Sequence, residues 1–262
     1  MARHWTNKAV WITGGGSGIG EALAVHFARE GASVAVSGRR EGRLAEVAEA
    51  IEAAGGTSLA VPCDVTEEGQ VEAAVAAVVE AFGGLDVAIA NAGFSVMGRV
   101  EELTAEDWRR QFDVNVVGAA LTAKYAISPL RLRKGRLGLI GSVSGYLAVP
   151  KLAPYTASKF ALRALGMTLR TELAGSGVSC TTAHPGFVES EIAQVDNDGV
   201  HHPDRADKRP QRLMWPTDKA AKAIADALWA RRGDYVFTGH GKVGAFLAQH
   251  VPSLTVALMR AR

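Results

Sequence analysis

Residues 9–32 read AVWITGGGSGIGEALAVHFAREGA: a short apolar run, a cluster of glycines and a segment of helical periodicity in direct succession. Ala9 to Thr13 is continuously apolar and short, which fits a strand buried on both faces. Leu23, Phe27 and Ala28 then recur at the spacing of one helix face, and Gly31 stops the helix. Strand, glycine turn and helix in this order form the first half of a βαβ unit. The turn is not a P-loop, because Glu21 and Ala22 stand where an ammonium would follow the closing glycine. Nor does G-x-G-x-x-G fit in any register. Gly14, Gly18 and Gly20 instead form G-x-x-x-G-x-G, which gives a tight turn, close backbone approach and a helix N-terminus suited to a pyrophosphate. A glycine-rich turn that holds no ligand is the alternative reading of this loop alone.

Outward from that unit the alternation repeats. Strand-like runs follow at Ser33 to Ser37, Ser58 to Pro62, Leu85 to Ala90, Leu137 to Gly141, Val178 to Ala183 and Tyr235 to Thr238. Helical patterns separate them over 41–54, 67–82, 104–130, 155–174 and 217–231. The pattern predicts an α/β fold: a Rossmann-type, doubly wound parallel sheet of about seven strands with helices on both faces. No domain boundary interrupts residues 1–262. The segment 189–216 breaks the periodicity and reads as a solvated loop flanking a site. Its adjacent His201 and His202 have no ligand-spaced partners, so no metal site is expected.

The 262 residues suffice for one large core, 48% of them are apolar, and a net charge of +2 implies no nucleic-acid partner. Cys63 and Cys180 lie in apolar runs and read as buried thiols rather than a disulfide. With no signal-peptide pattern at the start and no run of roughly 18 apolar residues, a cytoplasmic protein without membrane insertion is expected.

A second stretch carries chemistry. Residues 142–159 read SVSGYLAVPKLAPYTASK, where Tyr155 and Lys159 lie four apart in a helical segment and so share a face. An ammonium beside a phenol lowers the phenol's pKa from about 10, toward a value useful for proton transfer. Alone, a Tyr-x-x-x-Lys pair is more often a surface feature.

Thr13-Gly14-x-x-x-Gly18-x-Gly20, Asn91-Ala92-Gly93, Asn115, Ser142 with Tyr155-x-x-x-Lys159, and Pro185-Gly186 occur in this order along nearly the whole chain. In this the sequence resembles the short-chain dehydrogenase/reductase family in its form of ~250 residues. The resemblance implies reversible hydride transfer between a nicotinamide and a carbonyl or secondary alcohol. It makes Ser142, Tyr155, Lys159 and Asn115 the catalytic set, with Tyr155 as acid/base, Lys159 lowering its pKa, Ser142 donating to the carbonyl oxygen and Asn115 holding a water. It places Gly14, Gly16, Ser17, Gly18, Ile19 and Gly20 at the cofactor phosphates and Asp64 and Val65 over the adenine. Asn91, Ala92, Gly93, Pro185, Gly186, Val188 and Ser190 line the rest of the cofactor channel, with Tyr155 and Lys159 beside the nicotinamide ribose.

The second strand ends SGRRE. An acid would bind a ribose 2′-hydroxyl there, but Arg39 and Arg40 stand in its place, so NADP(H) is expected over NAD(H). The start of a solvated helix is the competing reading for these arginines. Tyr146, Leu147, Val149, Leu152 and Pro154 lie where the family builds its substrate wall; with Ser142 and Tyr155 they favour an apolar small-molecule carbonyl or alcohol, core packing being the alternative. Oxidation of lipophilic or steroid-like alcohols is the second enzymatic reading, and an NADPH-sensing or interaction protein is the non-enzymatic one. By resemblance the helices over 104–130 and 155–174 form a homodimer or homotetramer contact. The extension 239–262 carries Val243, Phe246, Leu247, Val251, Leu254 and Leu258 at near-helical spacing, broken by Pro252, with Lys242, Arg260 and Arg262 at its edges. An oligomer interface or a lid is favoured over a membrane-touching surface.

Overall fold

The computed structural model describes residues 4–260; Met1 to Arg3, Ala261 and the Arg262 named above lie outside the described residues. Its strands are β1 (Ala9–Thr13), β2 (Ser33–Gly38), β3 (Thr57–Pro62), β4 (Val87–Ala90), β5 (Arg136–Ile140), β6 (Ser179–His184) and β7 (Asp234–Val236). They form one seven-stranded sheet in the order β3-β2-β1-β4-β5-β6-β7, with every neighbouring pair parallel. The helices are α1 (Gly18–Arg29), α2 (Glu41–Ala53), α3 (Glu68–Phe82), α4 (Ala105–Phe112), α5 (Gly118–Arg133), α6 (Ala153–Glu172), α7 (Thr217–Trp229), α8 (Gly239–His250) and α9 (Pro252–Arg260).

Strand alternation divides the core in two. Val10 and Ile12 of β1 join Leu23 and Phe27 of α1, Val47 and Ile51 of α2 and Ile224 and Leu228 of α7 on one face. Trp11, between them, points to the other face, with Val71, Val75 and Val78 of α3, Ala123 and Leu130 of α5 and Leu162 and Leu169 of α6. A strand covered on both faces has no solvent side for polar residues, which is why β1 reads as an uninterrupted apolar run. Cys63 and Cys180 are both free and buried, and burial pushes their thiols up to about 11 and about 12.

Strand ends shift by a residue or two, as at β4, which starts at Val87 rather than Leu85, and two differences bear on the site. The helical segment predicted over 104–130 is three pieces: α4, a π-helical turn at Asp113–Val117, and α5. The extra residue per turn brings Asn115 inward, where its Oδ1 accepts from the Phe94 N–H at 3.1 Å and its Nδ2 donates to Phe94 O and Ser158 Oγ, each at 3.1 Å. The last strand is also shorter than expected: Thr238 ends the loop after β7 and α8 begins at Gly239. A Cβ on Gly241 would lie 2.4 Å from Thr238 Oγ1, so this turn closes only with glycine.

Candidate active site

In an all-parallel sheet the carboxyl ends of the strands share one rim, and a ligand crevice opens where the chain direction reverses, here between β1 and β4. A groove of about 650 Å³ runs along that rim. At its floor Gly14 and Gly18 take φ of 63° and 55°, the left-handed region open to glycine. A Cβ on Gly20 would stand 2.3 Å from Gly14 O, so the missing side chain brings the first turn of α1 against the loop. Asn91 Nδ2 donates to Thr13 O at 3.0 Å and to Gly14 O at 2.9 Å, locking the β4 exit to this turn. The cradle leaves its phosphate-facing wall to backbone and Ser17, which fits a dinucleotide. Every residue expected along the cofactor channel lines the groove except Gly20, which is packed beneath Gly14.

Farther along the groove, β5 ends at Ile140 and the chain turns through Gly141 and Ser142. Ser142 Oγ accepts from the Ser144 N–H at 3.1 Å, capping a single 3₁₀ turn over Val143–Gly145. On α6, which starts with Pro154 in its first turn, Tyr155 and Lys159 lie one helical turn apart. The Tyr155 phenol and the Ser142 hydroxyl both line the groove, close enough for the serine to act on the phenol's ionisation. Lys159 Nζ donates to Ile140 O at 2.8 Å and sits 5.6 Å from the centroid of the Tyr155 ring.

The electrostatics differ from the simple expectation of an ammonium lowering the phenol's pKa. Burial pushes the Tyr155 phenol up, opposed by the neighbouring Ser142 hydroxyl and the Arg209 charge. Burial also pulls Lys159 down to about 8. Desolvation dominates at both groups, and the ammonium donates to a backbone carbonyl. Asn115 is 1% exposed and touches α6 through Ser158, whose Oγ donates to Tyr155 O at 2.7 Å.

Five residues expected on the substrate wall sit elsewhere, and none lines the groove; Pro154 is buried in the first turn of α6. Tyr146 turns its hydroxyl to Asp234 Oδ2 at 3.3 Å, beneath the Arg163 guanidinium at 3.9 Å. Leu147 packs toward α8, where a Cβ on Gly244 would meet it at 3.0 Å. Val149 O accepts from the Leu152 N–H, and Leu152 bridges to Gly98. Phe94, Val114, Ile192, Val195 and Val200 supply the apolar lining instead.

Among known proteins, the family model for short chain dehydrogenase matches residues 8–200. The chain belongs to the short chain dehydrogenase family. An uncharacterized oxidoreductase of Staphylococcus aureus (strain MRSA252) is 35% identical over 193 residues, 73% of this chain and 83% of the relative. A 3beta-hydroxysteroid dehydrogenase of Mediterraneibacter gnavus is 34% identical over 192 residues, 73% of this chain and 70% of that one. Among solved structures, a short chain dehydrogenase/reductase from Burkholderia phymatum in complex with NAD superposes with a TM-score of 0.86 at 28% identity, covering 96% of both chains. An alcohol dehydrogenase from Thermococcus sibiricus complexed with 5-hydroxy-NADP does so with 0.77 at 27% identity, over 88% of this chain and 96% of the other.

In this short chain dehydrogenase the segment 189–216 runs across the groove mouth and is tied to both banks. Arg40 pairs with Glu191 at 3.0 Å and donates to Ser17 Oγ, and Arg39 donates to Gly199 O at 3.3 Å. Arg110 of α4 pairs with Asp198 at 2.7 Å, and Asn197 exchanges two hydrogen bonds of 2.9 Å with the Met97 backbone. Arg209 donates to Val188 O at 3.0 Å and Ser190 O at 2.8 Å while held by Asp207. Sequence reading missed Glu191, Arg110 and Arg209 as groove residues, since each finds its partner through the folded loop and carries no local pattern. His202 pairs with Asp196 at 2.6 Å and His201 lies 4.0 Å from Glu191, so the adjacent histidines point to different carboxylates. Among the described residues no group of three or more His, Cys, Asp or Glu could hold a metal ion, and no helix is long and apolar enough to cross a membrane.

Proposed function

We propose that this oxidoreductase interconverts an apolar carbonyl compound and its secondary alcohol with NADP(H), using Tyr155 as the acid/base. The observation that carries this reading is that Ser142, Tyr155 and Lys159 line one groove together, with Lys159 one helical turn behind the tyrosine. A phenol held above its ordinary pKa stays protonated at neutral pH, ready to protonate an alkoxide as it forms. Ser142 donates toward the same oxygen, where charge grows in the transition state. Lys159 and Arg209 place positive charge near the phenolate left behind. The nicotinamide, when bound, supplies or accepts the hydride. The NADP(H) preference rests on Arg39 and Arg40 at the groove rim, with no acid at the end of β2. The apolar lining named above favours a hydrophobic substrate over a sugar.

The similarity to a 3beta-hydroxysteroid dehydrogenase favours, as a second reading, oxidation of a lipophilic or steroid-like alcohol on the same site. Exposed Phe160 and Met167 on α6 and Leu132 on α5 support a homodimer or homotetramer through these helices.

The test is reduced-nicotinamide consumption over a panel of apolar ketones and aldehydes, with the oxidative reaction on hydroxysteroids in parallel. Tyr155→Phe lowers turnover about a thousandfold while NADPH binding, followed by fluorescence, is kept; loss of binding in that variant means a structural role for Tyr155. Arg39→Ala raises the NADPH dissociation constant about 10- to 100-fold and leaves that of NADH unchanged. Equal effects on both cofactors remove the NADP(H) preference.

A further inference from the structure

A cluster of buried and half-buried polar side chains lies against the Ser142 turn, and none of its members lines the groove. His184, the last residue of β6, is fully buried. Its Nδ1 lies 3.1 Å from Ser142 O and its Nε2 lies 3.5 Å from Asp234 Oδ1. Ser142 O can only accept, so the contact at Nδ1 is made by an Nδ1–H that donates to it. Asp234 in turn accepts from Tyr146, Arg163 and Arg170, each at 3.3 Å. The Tyr146 ring stands edge-on to the imidazole, 4.9 Å away.

We propose that His184, held by Asp234, is a positioning residue for catalysis: it fixes the Ser142 carbonyl and so sets the direction in which the Ser142 hydroxyl meets Tyr155 and the substrate oxygen. This rests on the reading of Ser142 and Tyr155 given under the proposed function.

Three successive residues of the turn are tied to three successive residues after β6. The Gly141 N–H donates to Ala183 O at 2.8 Å, Ser142 O accepts from His184, and the Val143 N–H donates to Pro185 O at 2.9 Å. Only the middle tie is made by a side chain, and it joins the Gly145 N–H, 2.9 Å away, in holding the serine carbonyl. Gly141 is cut to admit it: a Cβ there would lie 2.6 Å from His184 Nδ1. With its backbone pinned, Ser142 accepts the Ser144 N–H on Oγ and keeps its own O–H to donate into the groove. A catalytic donor misplaced by a fraction of an ångström loses rate without losing the fold.

Four variants test this on whichever substrate the panel yields: His184→Leu, His184→Asn, Ser142→Ala, and Ser142→Ala with His184→Leu. The expected results are a kcat lowered about 10- to 100-fold in His184→Leu, with KM and the NADPH dissociation constant within about twofold of wild type. His184→Asn, whose amide donates from the place of Nδ1, recovers most of the loss. In the Ser142→Ala background His184→Leu costs nothing further, because the ring acts through that serine. A wild-type kcat in His184→Leu, equal losses in the Asn and Leu variants, or a full additional loss in the Ser142→Ala background each overturns the proposal. If His184→Leu fails to fold, nitrogen-edited NMR of the wild-type imidazoles decides. A slowly exchanging Nδ1–H on His184 is expected, and an Nδ1 without a proton refutes the contact. Absence of turnover in the wild type sinks the proposed function alone, and the imidazole spectrum still judges the positioning contact.

Discussion

The turn after β1 and the turn after β5 leave the sheet at the same rim and face the same groove, but the first is shaped mainly by glycines packed on backbone, and the second by a buried polar side chain that its glycines admit. Between Thr13 and Gly20 the closest approach is of Gly20 to the Gly14 carbonyl, with Asn91, Arg43 and Arg40 as side-chain clasps on Gly14, Gly16 and Ser17. Between Gly141 and Tyr146 the backbone is held by His184, whose partner Asp234 lies 50 residues away along the chain. A site built from absent side chains writes itself into a local motif. A site built from long-range polar contacts leaves single residues scattered through the sequence.

If that contrast holds, the two turns should fail differently. Gly20→Ala puts a methyl 2.3 Å from Gly14 O, and the loop must shift or the helix retreat. The expected loss is about 2–4 kcal/mol, together with NADPH binding, measured by urea unfolding and fluorescence titration. Unchanged values would mean that the glycine turn is more pliable than its contacts imply.

Asp234→Asn should cost less and show a pH signature. Burial pushes the Asp234 carboxyl up, but the His184 hydrogen bond and charge, with Arg170 and Arg163, outweigh it and hold the pKa at about 2, below its ordinary 3.8. The folded chain therefore binds this proton later than the unfolded chain as pH falls. Its contribution, about 2 kcal/mol, is full above pH 3.8 and is lost as pH drops toward about 2. Unfolding curves of wild type and Asp234→Asn should differ by about that amount at neutral pH and converge in acid; parallel curves down to pH 2 would remove the network's electrostatic role.

Lys159 gives the smallest change over the pH range measured, and its charge is a cost to the fold where that of Asp234 is a gain. Its folded pKa of about 8 lies below the ordinary 10.5, so between these values the unfolded chain binds more protons and stability rises with pH. Below pH 8 the fold carries the cost of a buried ammonium. Lys159→Met should thus be more stable than wild type at neutral pH while losing turnover, and its advantage should shrink by about 1 kcal/mol between pH 7 and 9. An advantage constant with pH would mean that the ammonium is not desolvated.

The contrast also explains what the sequence could disclose. Strand positions and their order along the chain follow from apolar runs set by two-sided burial, and the glycine turn and the Tyr155–Lys159 pair are local patterns. The π-helical turn at Asn115 was not readable, because it depends on Phe94 and Ser158 meeting one amide after folding. Tyr146 was placed on the substrate wall by its position between Ser142 and Tyr155, but its hydroxyl follows Asp234, 88 residues away. Arg209 and Glu191 belong to a segment with no periodicity, and only the folded loop shows that they face the groove.

Strand β7 and helix α7 lie beyond residues 8–200, the stretch that this chain shares with its family model. Yet β7 closes the sheet edge beside β6 and carries Asp234, and α7 buries Ile224 and Leu228 against the strands. The shared stretch is therefore not a self-sufficient module. A chimera that grafts residues 8–200 onto another scaffold would carry the whole glycine turn, the Ser142, Tyr155 and Lys159 side chains and His184, but would leave His184 without its partner Asp234. Design that borrows these side chains has to transplant the far end of the chain with them.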